Sequence, residues 1–412
     1  MKISKRNFLF RVFSSGGRQA FTIISSFIGA KFLGIQDFAV YTYILTIFSV
    51  LTMLGDFGLS TAITRFIAFD KTEENIKKVT YNGLLVFLIS SLTLALIVYP
   101  LQYFRIINIE LLHVHIIVLT AISSIGASLL DGILRGQKRF KESGIATVVA
   151  FVLAIIAEIP LLIKFGLVGG LFAQFIFWTL LLLITLFLGK IQFEKDFDKK
   201  TVMKIASYAV QFGIASVSYF MFSRYLIFVL ESAKLWNTIA IYDLLSKVMI
   251  VFTFPFTIYG QTLAPYFSDK EFASNPSYIL KETIKYTKLL TFAAVGSGIV
   301  FWVLCQLLFK YLLPQYALLN EFSFTLGIMV VLLGINIWTY LIDSGILVAT
   351  GYAYIMSIVY PIIAIVSFIL LPIALQFGGV NALLITLAIL QLIMALTTRI
   401  FFTIKLKNNI TD

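Results

Sequence analysis

LGIQDFAVYTYILTIFSVLTMLGDFGLSTAITRF, residues 33–66, is the stretch that decides the fold. From Phe38 to Gly55 it carries no charge. About 20 helical residues are enough to cross a hydrocarbon core of roughly 30 Å. Beyond that apolar run come Asp56 and Arg65. A charge at the centre of a spanning helix costs roughly 2.5–3.5 kcal/mol on insertion scales. A helix that keeps such charges usually turns them toward a protein interior or a wet path.

The rest of the chain repeats this composition. Of its 412 residues 60% are hydrophobic and only 13% are charged, and the mean hydropathy is +0.97. A soluble domain is nearer one quarter charged, so the composition is that of a membrane protein. Apolar runs of spanning length lie near 8–31, 38–68, 80–99, 112–135, 145–164, 167–189, 204–230, 236–266, 286–309, 321–349, 353–376 and 379–405. The expected fold is therefore an all-α polytopic membrane protein of about twelve transmembrane helices. The gaps are short, which leaves no room for an inserted soluble domain. The basic N-terminal residues precede a segment with Arg18 and no small-residue cleavage pattern, which reads as a first spanning helix and not as a removed signal.

Net charge is +12. Cytoplasmic loops of membrane proteins collect Lys and Arg, which explains this charge without nucleic acid. Lys2, Lys5, Arg6, Arg11, Lys71, Lys77, Lys78, Arg135, Lys138, Arg139 and Lys141 fall on one set of helix ends, as do the lysines of 190–204 and Lys270, Lys281, Lys285, Lys288, Lys405 and Lys407. Lys31, Arg105, Lys164, Lys234 and Lys310 fall on the other. This sorting places both termini in the cytoplasm and requires an even number of helices. The most polar gap, GKIQFEKDFDKKTVMK at 189–204, divides the chain into an N-terminal six-helix lobe (1–188), a cytoplasmic linker (189–203) and a C-terminal six-helix lobe (204–412). QDFAVYTYI (36–44) aligns without gaps on NTIAIYDLL (237–245), one at the start of the second helix of each lobe. Paired halves with a central cavity are common in secondary transporters.

Ten ionisable residues remain inside the apolar runs: Arg18, Asp56, Arg65, Asp131, Glu158, Arg224, Asp243, Lys247, Asp343 and Arg399. Arg18 and Arg65 either snorkel to the interface or face a cavity. Asp56 is too short to snorkel, and it lies on the opposite face of a straight helix from Arg65. Its expected partner is on another helix, with Arg18 a candidate. Asp131 with Arg135, and Asp243 with Lys247, are i,i+4 pairs with the acid N-terminal, the favourable order. The expected substrate-binding set is Arg18, Arg65, Arg135, Arg224 and Lys247. Arginine suits phosphate because its planar fork binds oxygens in pairs. The expected ion-coupling or cavity acids are Asp56, Glu158, Asp243 and Asp131. Together they point to an anionic, phosphate-bearing cargo.

Several chemistries are excluded. The chain has no G-x-x-x-x-G-K-[ST] phosphate loop. His113 and His115 have no Cys or acidic cluster at metal-ligand spacing around them, so neither a metal nor another cofactor is expected. The single cysteine, Cys305, lies in an apolar run and reads as a buried filler. No nucleophile–base motif is present, so no catalytic residue is assigned.

Residues 33–66 resemble the opening of bacterial lipid-linked oligosaccharide flippases, the O-antigen translocases of the multidrug/oligosaccharidyl-lipid/polysaccharide exporter superfamily. The resemblance rests on Asp56-Phe57-Gly58-Leu59 and Thr64-Arg65, with Ala39-Val40-Tyr41 as the entry. LLDGILRGQKRFKES (129–143), IAIYDLLSKV (239–248) and TLAPYFSD (262–269) are similar to later parts of that family. Family members often carry an acid beside the Arg224 position, where this chain has Ser223. The resemblance implies a flippase, not an enzyme, in the cytoplasmic (inner) membrane. Its cargo would be an undecaprenyl-diphosphate-linked oligosaccharide, moved to the outer leaflet by alternating access, with membrane lipid, polysaccharide polymerase and chain-length proteins as partners. Two alternatives stay open: a multidrug or metabolite antiporter of the same fold, and a membrane-bound polysaccharide polymerase or ligase.

Overall fold

The structure is a computed structural model that describes residues 5–70, 72–104, 109–192, 194–267, 275–347, 350, 352 and 354–411. Lys2, Lys71, Arg105 and Lys270, and Ser268 and Asp269 of TLAPYFSD, lie outside the described residues. Described elements are helical: α1 (Lys5–Phe32), α2 (Ile35–Asp56), α3 (Leu59–Phe69), α4 (Glu73–Tyr103), α5 (Leu111–Gly136), α6 (Phe140–Gly189), α7 (Lys199–Ser232), α8 (Trp236–Phe267), α9 (Pro276–Leu312), a short α10 (Pro314–Ala317), α11 (Phe322–Leu341) and α12 (Tyr354–Thr411). A single π-helical turn, Ile342–Leu347, continues α11.

Among the described residues, nine continuous segments are long and apolar enough to cross a membrane. Two of these are hairpins. In α6 the backbone leaves the helix at Gly166 (φ 54°, ψ −131°), and a Cβ on Gly169 would lie 2.0 Å from the Leu161 carbonyl oxygen. Eight residues of straight helix would separate those groups by about 12 Å, so the chain has folded back. In α12 the break is at Gly379 (φ 67°), and the return arm brings Phe402 to 5.3 Å from Tyr352, ring to ring. Counting each hairpin arm, and adding the more polar α1, the twelve expected crossings are present among the described residues.

Packing divides the chain into two compact units, Met1–Phe220 and Met221–Asp412, a division that falls inside α7. In unit 1, α5 is the most enclosed helix, with 83% of its spanning window buried. Ala146, Ala150 and Ala154 recur every fourth residue on the first arm of α6 and form a flat strip. Phe21 of α1 packs there and stacks on Phe177 of the second arm at 3.9 Å. Lipid-facing residues such as Leu88, Leu92 and Leu96 of α4 remain exposed, as expected where hydrocarbon is the solvent. In unit 2 a cluster of aromatics carries the core: Phe301 meets Phe252 at 5.6 Å, and Phe309 meets Phe322 at 4.9 Å. Cys305 lies fully buried between them on α9, the filler its sequence context suggested.

The deciding stretch is two helices, where its sequence reads as one run over 38–68. Phe57 (φ 33°, ψ 37°) and Gly58 (φ 85°, ψ 7°) are consecutive left-handed residues that end α2 and restart the chain as α3. Glycine is required at 58 on two counts. Its φ is the glycine region, and a Cβ would sit 2.7 Å from the Ala209 carbonyl oxygen of α7.

The linker between α6 and α7 is tied to α4. Asn82, fully buried, donates to the Asp196 carbonyl (2.8 Å) and accepts from the Asp198 amide (3.0 Å). Lys78 pairs with Asp198 at 3.1 Å and with Asp196 at 3.6 Å. In unit 1 the helix ends on this side form the linker side, and the opposite ends the far side.

Candidate functional site

The first cluster of charge is in unit 1, on the linker side. Asp131 stands on α5 one turn before its end, and Arg135 follows it by one turn. Arg135 Nε reaches Asp131 Oδ2 at 3.1 Å, the pairing that the i,i+4 spacing predicts. Arg18 of α1 places Nη2 3.2 Å from the same oxygen. Ser143 donates to Asp131 Oδ1, and Ser14 joins Ser143 at 2.7 Å. One carboxylate thus organises two guanidiniums, and these three groups sum to a charge of +1. Asp131 is nearly buried, while Arg18 and Arg135 are each about one fifth exposed at the side chain (21% and 24%). The Arg18 Nε–H has no acceptor among the described residues. The arrangement offers donor groups that a phosphate oxygen can use.

Asp56 is not the partner of Arg18, because Arg18 is held by Asp131. Its carboxylate spans the helix break instead. Oδ1 accepts from the Ser60 amide (3.2 Å) and Oδ2 from the Ser60 hydroxyl (3.1 Å). Those bonds satisfy the restarting turn of α3, the role of a helix cap. Arg65 is exposed, and its guanidinium lies over the Tyr208 ring at 4.3 Å.

Glu158 occupies a second, different cluster in the far-side half of unit 1. It is fully buried. Ser25 of α1 donates to its Oε1 at 2.5 Å. Gln174, on the returning arm of α6, donates to Ser25 Oγ (2.9 Å) and to the Tyr41 hydroxyl (3.1 Å). Oε2 of Glu158 has no partner among the described residues. All three surrounding side chains are uncharged.

Unit 2 contains a third cluster. Lys247 lies 3.3 Å from Asp243 on the same face of α8, again the spacing expected of an i,i+4 pair. Arg224 of α7 approaches Asp243 at 3.9 Å. Asp243 and Lys247 are buried, whereas the Arg224 side chain is 22% exposed. Elsewhere in unit 2, Arg399 donates to the Trp338 carbonyl at 2.9 Å and covers the Trp338 ring, while Asp343 accepts from Tyr360 at 2.8 Å.

Sequence reasoning finds every charged member of these clusters because charge stands out in an apolar run. It misses Ser14, Ser25, Tyr41, Ser143, Gln174 and Tyr208. The one usable signal was Gln174, an amide in the middle of an otherwise apolar arm. Among the described residues no group of three His, Cys, Asp or Glu could hold a metal ion.

A family model described as polysaccharide biosynthesis protein matches residues 4–271. No curated protein matches the sequence. Solved structures match along nearly the whole chain. An inward-facing multidrug resistance MATE family transporter of the MOP superfamily is 14% identical, with a TM-score of 0.79, covering 95% of this chain and 96% of that one. An outward-facing structure of the same description gives 0.71 at 14% identity, with coverages of 98% and 96%. The Vibrio cholerae MATE transporter VcmN in its bent form gives 0.67 at 15% identity, again with 98% and 96%. At such identities the likeness is one of fold, and the fold is that of these transporters.

Proposed function

Since this chain belongs to the polysaccharide biosynthesis protein family, we propose that it is a flippase for undecaprenyl-diphosphate-linked oligosaccharide repeat units. It carries them from the cytoplasmic to the outer leaflet of the inner membrane. The linker side is cytoplasmic in this reading, following the bias of basic residues. The lobes 1–188 and 204–412, joined by the linker 189–203, alternate access around the cargo.

The observation that carries the proposal is the Arg18–Asp131–Arg135 cluster. A diphosphate is doubly bridged by guanidinium forks better than any neutral or cationic drug could be. Asp131 holds both arginines in place between cycles, so the site is formed before cargo arrives. The saccharide occupies water-accessible space and the isoprenoid chain stays in hydrocarbon, so only the charged bridge needs a protein counter-ion. Glu158 supports the ion-coupling part of the proposal. It is a buried carboxyl with no cation beside it in the bonds described above, so it is the acid that suits reversible protonation. Asp56, Asp131 and Asp243 are each engaged in a cap or an ion pair.

Deletion of the gene tests this directly. Loss of surface polymer with single complete repeat units accumulating in the cytoplasmic leaflet is expected. Units that reach the outer leaflet and fail only to polymerise would make the chain a membrane-bound polymerase or ligase. An unchanged glycan with loss of drug or metabolite efflux would make it an antiporter of the same fold.

A further inference from the structure

One exposed stripe of α9, in unit 2, changes character along its length. Lys281, Lys285, Lys288, Phe292, Val295, Ile299 and Trp302 follow one another at alternating spacings of four and three, so they share one face of the helix. All seven are exposed. The first three are cations and the rest are apolar. Lys285 pairs with Glu282 at 3.5 Å, and these four charged groups sum to +2. An exposed pair of this kind is weak, so it yields to a stronger anion. The apolar part of the stripe borders a groove of about 620 Å³ between α9 and α11. Val295, Ile299 and Trp302 face Val331 across it, and Gly298 and Gly334 keep its floor low. Because 22% of the spanning window of α9 is buried, the groove opens to hydrocarbon. From Lys288 to Ile299 is eleven residues, or about 16 Å of helix. One leaflet of a hydrocarbon core is about 15 Å deep. A hydrocarbon chain whose head is held at the lysines therefore reaches the groove and ends in it.

We propose that this stripe is a binding site for one acidic phospholipid of the surrounding bilayer, with its phosphate among Lys281, Lys285 and Lys288 and one acyl chain in the groove between α9 and α11. Charge selects the class of occupant. A phosphatidylglycerol headgroup brings an uncompensated negative charge to the lysines, whereas a phosphatidylcholine headgroup brings its own ammonium group. The chain supplies what the lysines alone lack, a fixed place on the helix. The site rests on the geometry of unit 2 and not on the flippase reading.

The test is native mass spectrometry of the purified full-length protein, titrated in detergent with phosphatidylglycerol or with phosphatidylcholine of the same chains. Thermal unfolding confirms that each variant is folded. Wild type should retain one phosphatidylglycerol at least tenfold more tightly than phosphatidylcholine. K281Q/K285Q/K288Q should lose that preference, to within about twofold. G334L attacks the groove alone. A Cβ at Gly334 meets Ala294 Cβ at 3.9 Å, an ordinary contact, so a larger side chain fills the groove without moving backbone. It should weaken both lipids about equally and leave the preference for phosphatidylglycerol intact. K195Q/K199Q/K200Q, which removes exposed lysines of the linker, should change nothing. An equal loss in that variant would mean general attraction to basic charge and overturns the site. Unchanged phosphatidylglycerol binding in folded G334L overturns the placement of the chain. A dimer mass that G334L abolishes would make the groove an interface between copies and overturns the lipid assignment. So would undecaprenyl phosphate displacing the bound phospholipid at equal or lower concentration, which would give the groove to the isoprenoid chain of a cargo.

Discussion

Asp131 and Glu158 are both buried carboxyls in unit 1, and their surroundings are opposite. Asp131 meets two arginines and a serine at the linker-side end. Among the described residues Glu158 bonds only to Ser25, which Gln174 and Tyr41 brace, and one of its oxygens has no donor. Burying an ion pair is tolerable when geometry and extra hydrogen bonds offset the desolvation, and Asp131 has both. An ionised Glu158 would have one hydrogen bond and no counter-charge. The first environment fixes a charge so that it can organise others. The second leaves room for a proton and offers nothing to replace it. Two residues of the same chemical class therefore suit different tasks, which in the proposed flippase are holding cargo and coupling transport to an ion.

Substitution by the matching amide separates the two most sharply. D131N removes the acceptor shared by Arg18 and Arg135 and leaves both guanidiniums competing near each other. Breaking a pair of this kind costs on the order of 3 kcal/mol, so the variant should unfold at markedly lower denaturant and lose transport. E158Q keeps an oxygen for Ser25 and places an NH2 group where a proton would sit. Its stability should change by less than about 1 kcal/mol. Accumulation against a gradient should fall at least tenfold while downhill exchange persists. Equal destabilisation by the two substitutions, in denaturant titrations of the purified protein, would erase the distinction.

A smaller effect compares two glycines with positive φ. Gly58 and Gly166 both have positive φ, but a Cβ on Gly58 meets the Ala209 carbonyl oxygen at 2.7 Å, whereas a Cβ on Gly166 meets nothing within 4 Å. G166A should cost on the order of 1–3 kcal/mol from the backbone alone, since φ 54° with ψ −131° lies outside the left-handed helical well. G58A should cost clearly more, because the obstacle is backbone and cannot rotate away. Thermal unfolding of the two variants side by side decides this. Asp56 belongs to the same break. D56A removes the bonds to Ser60 and should cost about 1 kcal/mol, the usual loss for a cap, while D56N should be milder. Intact export in both variants at normal protein level would confine Asp56 to this structural role.

The outcome for Asp56 shows where a single sequence stops being legible. Spanning segments could be read because hydrophobic length is a local property, and the Asp131–Arg135 and Asp243–Lys247 pairs because helix periodicity is local too. Arg18 and Asp131 are 113 positions apart, and nothing local tells Arg18 to prefer Asp131 over Asp56. The break at Phe57–Gly58 decided the matter: once α2 ends there, Asp56 has the amide of Ser60 within reach and no need of a distant cation. The Gly58-Leu59-Ser60 sequence that follows Asp56 is a stop and a restart in miniature, legible only when a helix boundary is sought inside a spanning run. The Glu158 cluster was half legible. Its acid was plain, and its three neutral partners come from three separate segments of chain with no charge to mark them.

The smallest expected effect lies outside the membrane, in the linker. Asp198 accepts from the Thr201 hydroxyl at 2.7 Å, pairs with Lys78 at 3.1 Å and accepts from the Lys200 amide at 2.9 Å. The Thr201 hydrogen bond is the largest of several influences that hold its carboxyl below the usual carboxylate value, at about 2. A depressed value in the folded protein means that the charged form is the one tied down. The tether is therefore complete above about pH 4 and is lost as pH falls through about 2. The protection of the 194–198 amides, relative to their intrinsic exchange rates, should fall over that interval while the amides of α5, enclosed in unit 1, stay protected. D198N should exchange faster at neutral pH and lose the acid step. If D198N keeps the same step, the carboxylate that holds the linker to α4 is Asp196, whose 3.6 Å contact with Lys78 is then the stronger of the two.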